Sequence, residues 1–354
     1  MLKWIFFFFL TTQIFAQTIP VGMQDFSEER LRNQQLISGA SYSFTIRPVS
    51  DSSSSRILPA TILTSYNSDA PMGWNGAAMI PARGLQTYLT AGFFLKYKAL
   101  SFQLKPEFVY AANPSFETFS LQGSLRAPML VLWNSTDIPE RFGTSTYTRF
   151  RLGQSALRLS SRSVSVGIST ENLWWGPGFR NSLIMSNNAP GFNHFNIQTN
   201  KPLKTPLGNF QFNVIGGTLT EIENQSFENR NLKLFGKISY TRYVNLLSIS
   251  YSPIFLKNFY LSANRVFQQP TQPDPSSKLT EYYLIALKPL FRNVYQDNVA
   301  PIDQLLSGSA KYVFPKEHAE VYFEYGWNDG KSNSRDLILD MSHSATSTYG
   351  LKKI

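Results

Sequence analysis

The residues best suited to binding a ligand lie close together in ENLWWGPGFRNSLIMSNNAPGF, residues 171–192. Two adjacent indoles, Trp174 and Trp175, offer flat apolar faces on which the C–H side of a sugar ring can stack. Side-chain carboxamides donate and accept hydrogen bonds, so they can satisfy sugar hydroxyls. The stretch carries four of them, Asn172, Asn181, Asn187 and Asn188. The run Gly-Pro-Gly at 176–178 predicts a sharp turn that would aim the rings.

A second glycine-rich stretch, APMGWNGAAMIPARGLQ at residues 70–86, adds an aromatic ring at Trp74 and a cation at Arg83. Such a loop could line a lumen or contact an acidic sugar. The predicted sugar contacts are therefore Trp174, Trp175, Asn172, Asn187, Asn188, Trp74 and Arg83.

Both stretches also have a purely structural interpretation, which the sequence leaves open. In the first, one tryptophan would lie at a membrane interface while the asparagines cap turns or hold a plug in place. In the second, the glycines would allow a plug or a periplasmic connector to pack closely.

Enzymatic chemistry finds little support in the residue types. The chain has no cysteine and three histidines, and it has neither a Gly-x-Ser-x-Gly elbow nor a phosphate-binding loop. His318, Glu320 and Glu324 lie on the polar face of one predicted strand. However, Glu320 and Glu324 would stand roughly 13 Å apart by strand rise, which exceeds the usual spacing of paired catalytic carboxylates. We therefore predict no enzyme activity, no metal site and no cofactor.

The elements that would position these residues are predicted to be β-strands, because apolar and polar residues alternate over long segments. One predicted hairpin runs from Leu89 to Tyr110, with its turn at Lys98 and Ala99. The same period recurs near residues 164–169, 210–214, 247–263 and 319–328, and about a dozen strands are expected.

Two architectures share this alternation. A soluble sandwich would pack its apolar faces inward, whereas a membrane barrel turns them toward lipid and keeps its polar face inside. The strands are about ten residues long, as tilted membrane strands are. Aromatic residues also end the apolar faces, at Tyr97, Tyr110, Tyr251 and Trp327. We therefore predict a mainly β fold, an antiparallel outer-membrane β-barrel with a short N-terminal helix and plug-like loops.

The N-terminal region supports export of the chain. Residues 1–16 show the basic start and the short apolar run of a secretory signal peptide. Residues 25–39 predict one helix, capped by Asp25 and ended by Gly39, with Leu31, Leu36 and Ile37 on its apolar side. We divide the mature chain into 17–87, with the helix, a first strand and the plug or connector, and 88–354, with the barrel strands. The strand count suggests a barrel that is incomplete at its C-terminal end.

The overall charge bears on the choice of partner. The formal net charge is +10, and 14% of the residues are aromatic. Lys and Arg are scattered rather than clustered, so nucleic acid is not an expected partner. A basic, tyrosine-rich exported chain suits anionic glycans or lipids.

ENLWWGPGFRNSLIMSNNAPGFNHF resembles a signature of the Wzi-type capsule assembly family, in the form found in Bacteroidetes. Four further segments are similar and occur in the expected order, namely SFTIRP (43–48), YNSDAPMGWNGAAMIPARGLQ (66–86), YVFPKEHAEVYFEYGWND (312–329) and HSATSTYG (343–350). The resemblance implies an outer-membrane barrel with helical and loop elements that close its lumen. It also implies binding of capsular polysaccharide at the cell surface. Family members usually continue beyond the last segment, which again suggests an incomplete barrel.

The expected function is non-catalytic binding of surface or capsular polysaccharide, so that the polymer is assembled or retained at the cell surface. Outer-membrane lipid and envelope proteins are further expected partners. Two alternatives remain open at this stage. One is a porin-like channel, and the other is an outer-membrane component of a gliding-motility or secretion assembly.

Overall fold

A computed structural model describes residues 26–38, 55–69, 71, 73, 75–117, 141–220, 241–270, 303–328 and 344–354. One helix, α1 (Phe26–Ser38), precedes the strands. The strands are β1 (Arg56–Asn67), β2 (Gly84–Tyr97), β3 (Leu100–Leu104), β4 (Glu107–Ala111), β5 (Tyr147–Arg151), β6 (Ala156–Ser160), β7 (Val164–Ser169), β8 (His194–Thr199), β9 (Leu203–Thr205), β10 (Gly208–Thr220), β11 (Thr241–Pro253), β12 (Phe259–Pro270), β13 (Asp303–Phe314), β14 (Ala319–Asn328) and β15 (Ala345–Lys353).

All the described strands belong to one antiparallel sheet. β3 and β4 pair with successive parts of β2, so they form one strand interrupted at Lys105 and Pro106. β5 and β6 pair with that interrupted strand in the same way, and β8 and β9 both pair with β10. Counted by these positions, the 15 strands make a sheet twelve strands wide. The predicted hairpin is confirmed, with its turn at Lys98 in a left-handed conformation (φ 54°).

The two faces of this sheet are inverted relative to a soluble protein. On β2 and β3, the apolar residues Leu95, Tyr97 and Leu100 are exposed, whereas Ser101 and Gln103 are buried. The same inversion recurs on the other strands, where polar side chains fill the inner face. Examples are Ser165, Asn196, Gln211, Asn213, Ser248, Ser250, Asn264, Ser307 and Glu324. An apolar outer face and a polar inner face are the pattern of a membrane barrel. The predicted fold class is therefore confirmed, and the inner face is called the lumen face below.

The connections between strands alternate between short and long. At one end of the sheet they are turns, at 98–99, 161–163, 206–207, 254–258 and 315–318. At the other end the connecting segments are longer, namely 68–83, 112–146, 170–193, 221–240, 271–302 and 329–344. All of 221–240 and 271–302, and most of 112–146 and 329–344, lie outside the described residues. Of the four aromatics predicted to end the apolar faces, Tyr97 and Tyr251 lie near the short turns, and Tyr110 and Trp327 near the long loops. The strands thus carry aromatic residues at both ends, as interfacial girdles require.

The predicted helix is confirmed as α1, within one residue of the predicted bounds at each end. Its Leu36 is buried, and the Leu36 carbonyl lies 3.4 Å from Nδ1 of His318 at the β13–β14 turn. The helix therefore reaches the short-turn end of the sheet. Ile37, placed on its apolar side by the sequence, is instead 54% exposed. An amphipathic helix buries only one narrow stripe of side chains. Ile37 follows Leu36 directly in the chain, so it lies on a different side of the helix.

No helix in the described ranges combines the length and the apolar character needed to span a membrane.

Two predictions about chain organisation remain predictions. The signal peptide at 1–16 lies outside the described residues. The boundary at residue 87 falls inside β2, which begins at Gly84, and β1 already pairs with β2 along most of its length.

Candidate functional site

The long loop at residues 170–193, between β7 and β8, lies against the lumen face and contacts widely separated strands. It touches β3 and β6 through Glu171 and the central strands β10 to β12 through Trp175. It reaches β14 through Gly176, where an added Cβ would lie 2.5 Å from Oε2 of Glu324. One loop can meet strands this far apart in the sheet only if the sheet curves around it. We call residues 171–192 the plug loop.

Glu171 anchors the start of the plug loop to the wall. Its buried carboxylate forms an ion pair with Arg158 of β6, which is also buried. It accepts further hydrogen bonds from Ser169 Oγ (2.6 Å) and from Gln103 Nε2 (3.3 Å). A buried charge is tolerated when it is paired and hydrogen-bonded in this way, and removal of one partner leaves the other uncompensated.

Asn172 continues the anchor through its amide. Gln154 Nε2 donates to Asn172 Oδ1 (2.7 Å), and the Asn172 backbone N–H donates to Gln154 Oε1 (3.0 Å). Asn172 Nδ2 donates in turn to the carbonyl of Ala189 (2.7 Å), which ties the two ends of the loop together. Asn172 is 3% exposed, and its amide bonds to the Gln154 side chain and to the Ala189 carbonyl.

The two tryptophans are both buried, and they face different surroundings. Trp174 Nε1 donates to the carbonyl of Gly178 (3.0 Å), which closes the predicted turn at 176–178. Trp175 is 1% exposed, and its backbone N–H donates to the carbonyl of Met185 on the other side of the loop (3.2 Å). Its side chain belongs to an apolar cluster formed with Ile215, Val244, Leu246 and Val266. The Trp175 indole therefore fastens the loop to β10, β11 and β12, whereas the Trp174 indole holds the turn within the loop.

The far side of the plug loop meets β14 and β15. The backbone N–H of Phe179 donates to the hydroxyl of Tyr322 (3.4 Å), and Lys352 Nζ lies 4.3 Å from the centre of the Phe179 ring. Arg180 and Asn181, the next residues of the loop, are exposed. The loop thus exposes polar side chains to solvent only after the contact that Phe179 makes with β14 and β15.

A chain of hydrogen bonds crosses four strands beneath this contact. Ser248 Oγ donates to Asn264 Oδ1 (2.7 Å), Asn264 Nδ2 to Ser307 Oγ (3.0 Å), and Ser307 Oγ to Glu324 Oε1 (2.9 Å). Every donor in the chain points toward the carboxylate. Such an aligned series strengthens each of its members, and it fixes Glu324 where the plug loop passes.

The second glycine-rich stretch packs directly on the plug loop. The Asn75 backbone N–H donates to Asn188 Oδ1 (2.8 Å), and Asn75 Nδ2 donates to the carbonyl of Arg180 (2.8 Å). The Ala77 backbone N–H donates to the carbonyl of Asn187 (2.6 Å). The structure therefore brings together the two stretches that the sequence identified separately, and Asn187 and Asn188 lie at their junction.

Arg83 lies at the base of the second stretch and joins strand ends. Its Nε donates to the carbonyl of Ser68 (3.0 Å), and its Nη1 donates to the carbonyl of Ser115 (3.0 Å). These bonds match the structural interpretation of the loop, although the side chain remains partly exposed. Trp74 lies outside the described residues.

The carboxylates of β14 have structural partners. Glu320 lies 3.8 Å from Lys311 Nζ across the β13–β14 pair, and Glu324 accepts from Ser307 as described. Both are buried and lie on the same lumen face, as the strand period predicted.

Sequence reasoning missed the residues that hold the plug loop to β6 and β3. Gln103, Gln154 and Arg158 are separated from Glu171 by 68, 17 and 13 positions, and no motif connects them. The sequence offered only a local indication of these contacts. An arginine and a glutamine on the polar face of strands that face a lumen must find partners, because buried polar groups are costly when unpaired.

The sequence profile of the family described as capsule assembly protein Wzi matches residues 58–272, which is more than half of the chain. Among solved structures, the chain is similar to Wzi of Escherichia coli, described as an outer-membrane, carbohydrate-binding β-barrel involved in group 1 capsule assembly. The identity is 13% and the TM-score is 0.51, over 87% of this chain and 63% of that one. At that identity the likeness concerns the fold.

A loop-deletion mutant of OmpT, an outer-membrane protein of Vibrio cholerae, aligns at 12% identity with a TM-score of 0.25, over 84% of this chain and 98% of that one. That score is too low to indicate a shared fold. No curated protein sequence matches the chain.

Proposed function

Because this chain belongs to the capsule assembly protein Wzi family, we propose that it is a non-catalytic protein that binds surface polysaccharide and helps to assemble or retain it at the cell surface. The chain is an outer-membrane protein. The observation that carries the proposal is the plug loop, a ring- and amide-rich segment held firmly on the lumen face while its tip stays exposed.

The orientation of the barrel supports this function. In outer-membrane barrels the short turns face the periplasm and the long loops face the cell exterior. The plug loop and the second glycine-rich stretch both connect strands at the long-loop end. Their junction at Asn187 and Asn188 would therefore open toward the exterior, where a surface polymer lies.

The predicted contacts would divide into two groups. Asn187 and Asn188, together with the exposed Arg180 and Asn181, would touch the polymer. The buried residues Trp174, Trp175 and Asn172 would hold the loop that presents them, and Arg83 would hold its neighbour. Many weak contacts on a repeating polymer add up through multivalency, so no deep pocket is required.

The plug loop also bears on the porin-like alternative. A loop fixed to β3, β6, β10 to β12 and β14 occupies space that a diffusion channel would need. This favours a binding protein over an open pore, and conductance of the full-length protein distinguishes the two.

The test uses a strain that lacks the gene, complemented with wild-type or variant protein. Surface polysaccharide that stays with the cells is compared with polymer shed into the medium. We expect the deletion to increase the shed fraction without changing total synthesis. Arg180→Ala with Asn181→Ala should reproduce part of that shift, because both side chains are exposed at the tip of the plug loop.

Trp174→Ala with Trp175→Ala should produce a similar shift by loosening the loop. The control is Glu317→Ala, an exposed side chain in the 315–318 turn at the opposite end of the barrel. An unchanged partition in the deletion strain would overturn the function and favour a role in a motility or secretion assembly.

A further inference from the structure

The short turns form one continuous rim. Hydrogen bonds join each turn to the neighbouring turn or to the end of the neighbouring strand. They run from Ser160 N to Ala99 O (2.7 Å), Asn200 N to Ser163 O (2.8 Å), Ile254 N to Leu207 O (3.2 Å), Val313 N to Asn258 O (3.0 Å) and Ile354 N to His318 O (3.1 Å). Side chains on these turns therefore belong to a single surface rather than to separate tips.

This rim is strongly basic. In the described part of the chain, its exposed charged side chains are Lys98, Arg162, Lys201, Lys204, Lys257, Lys316, Lys353 and a single acid, Glu317. The described long-loop end is mixed, with exposed Asp69, Glu117, Arg149, Arg180 and Asp303. Among the described residues, the exposed positive charge is thus concentrated at the short-turn end, although the sequence shows Lys and Arg as scattered.

An apolar tip lies within the basic rim. Leu207, Ile254, Phe255 and Leu256 come from two adjoining turns and are all exposed, with Phe255 at 84%. Lys204 and Lys257 flank these residues in the chain. The tip is continuous with the lipid-facing side of the sheet, because Tyr251 leads into it and stacks on Phe210 at 4.6 Å between ring centres.

We propose that this rim binds the headgroups of anionic phospholipids, with the apolar tip inserted at the membrane interface. Exposed apolar side chains flanked by lysines provide the two signals, insertion and charge attraction, that together give stable contact with an anionic membrane surface. The continuity with the aromatic and aliphatic outer face selects lipid, because a soluble protein partner would not require the tip to extend the lipid-facing band. The inference rests on the outer-membrane barrel and not on polysaccharide binding.

The experiment is native mass spectrometry of the full-length protein released from micelles that contain phosphatidylglycerol and phosphatidylethanolamine with the same acyl chains. We expect the wild-type protein to retain phosphatidylglycerol over phosphatidylethanolamine by on the order of tenfold. Lys201→Gln, Lys204→Gln and Lys257→Gln together should bring that ratio close to one. Added salt should lower the wild-type ratio, because exposed charges are screened.

The matched control replaces the same three lysines with arginine, which keeps the charge and should keep the preference. Phe255→Ser should reduce retention of both lipids, since it removes the most exposed apolar side chain of the tip. Heat-induced mobility shifts on gels would verify that every variant remains folded.

Equal retention of the two lipids by the wild-type protein would overturn the proposal. Loss of a co-purifying acidic envelope protein in the glutamine variant, with equal lipid retention throughout, would instead identify a protein as the partner. The glutamine variant should retain polysaccharide at the cell surface normally, so failure of this inference and failure of the proposed function remain distinguishable.

Discussion

At the scale of single residues, the plug loop is held by close fits that leave little freedom. Gly176 has a φ of 128°, a conformation that side-chain-bearing residues rarely adopt, and it lies directly against Glu324. The Glu171 carboxylate is the counter-ion of the buried Arg158 guanidinium. Both residues are therefore expected to tolerate substitution poorly, for different physical reasons.

Gly176→Ala should lower the stability of the folded protein by roughly 1–3 kcal/mol, because it combines backbone strain with a collision at Glu324. The temperature at which the folded band converts to the unfolded band on a gel measures the effect. Gly308→Ala is the matched control, since an added Cβ there meets no atom within 4 Å. Equal transition temperatures for the two variants would show that the loop does not rest against β14.

Glu171→Ala should destabilise the protein by about 3–5 kcal/mol, because the buried guanidinium of Arg158 loses its counter-ion. Limited proteolysis of the folded protein should then cut within residues 171–192 more readily than in wild type. Pairing the change with Arg158→Met should restore part of the protection, which simple loss of packing would not do. Glu317→Ala, an exposed acid, should leave the digestion pattern unchanged.

At the scale of elements, the plug loop and the strands beneath it act as one unit. The apolar cluster around Trp175 supplies the packing, and the hydrogen-bond chain from Ser248 to Glu324 supplies a fixed polar contact. The loop is thus held by both types of interaction at two consecutive residues, Trp175 and Gly176. Loss of the apolar packing around Trp175 should release the loop from strands β10, β11 and β12.

Trp175→Ala removes the largest fully buried side chain in the described residues, at a cost of about 3–5 kcal/mol. We expect the wild-type protein to conduct little in a planar bilayer and this variant to show frequent, larger openings. Phe323→Ala, an aromatic truncation on the exposed outer face of β14, should behave as wild type. A large steady conductance of the wild-type protein would favour the porin-like alternative.

At the scale of the whole molecule, the alternation of short turns and long loops gives the barrel a direction. All the described short turns share one end, and α1 reaches that same end through Leu36. Polysaccharide binding at the plug-loop tip and lipid binding at the rim both depend on which end faces the exterior. Orientation is therefore the property that connects the two proposals.

The chain contains no cysteine, so single-cysteine variants report orientation without background. A membrane-impermeant maleimide should label Ala189→Cys in intact cells, because residue 189 is exposed on the plug loop. Lys316→Cys, exposed in a short turn, should be labelled only after the outer membrane is permeabilised. The reverse pattern would place the plug loop toward the periplasm and remove the support that orientation gives to polysaccharide binding.

The strands, their two faces and the helix could be predicted from the sequence, because they depend on a local period of apolar and polar residues. The Leu89–Tyr110 hairpin and its turn at Lys98 were correct for this reason. The described strands form a sheet twelve strands wide, in line with the dozen that were expected. The sequence also identified the two loops that meet in the structure, through their unusual glycine, tryptophan and asparagine content.

The contacts that the side chains of those loops make could not be predicted, because they depend on how the sheet folds in three dimensions. Asn75 and Asn188 are 113 positions apart, and their contact exists because the sheet curves and brings two loops together. The same curvature buries Trp175 against β10 to β12 and pairs Glu171 with Arg158. It also gathers dispersed lysines into one rim. Local periodicity carries no information about such contacts, since it specifies which face a residue occupies but not which distant face it will meet.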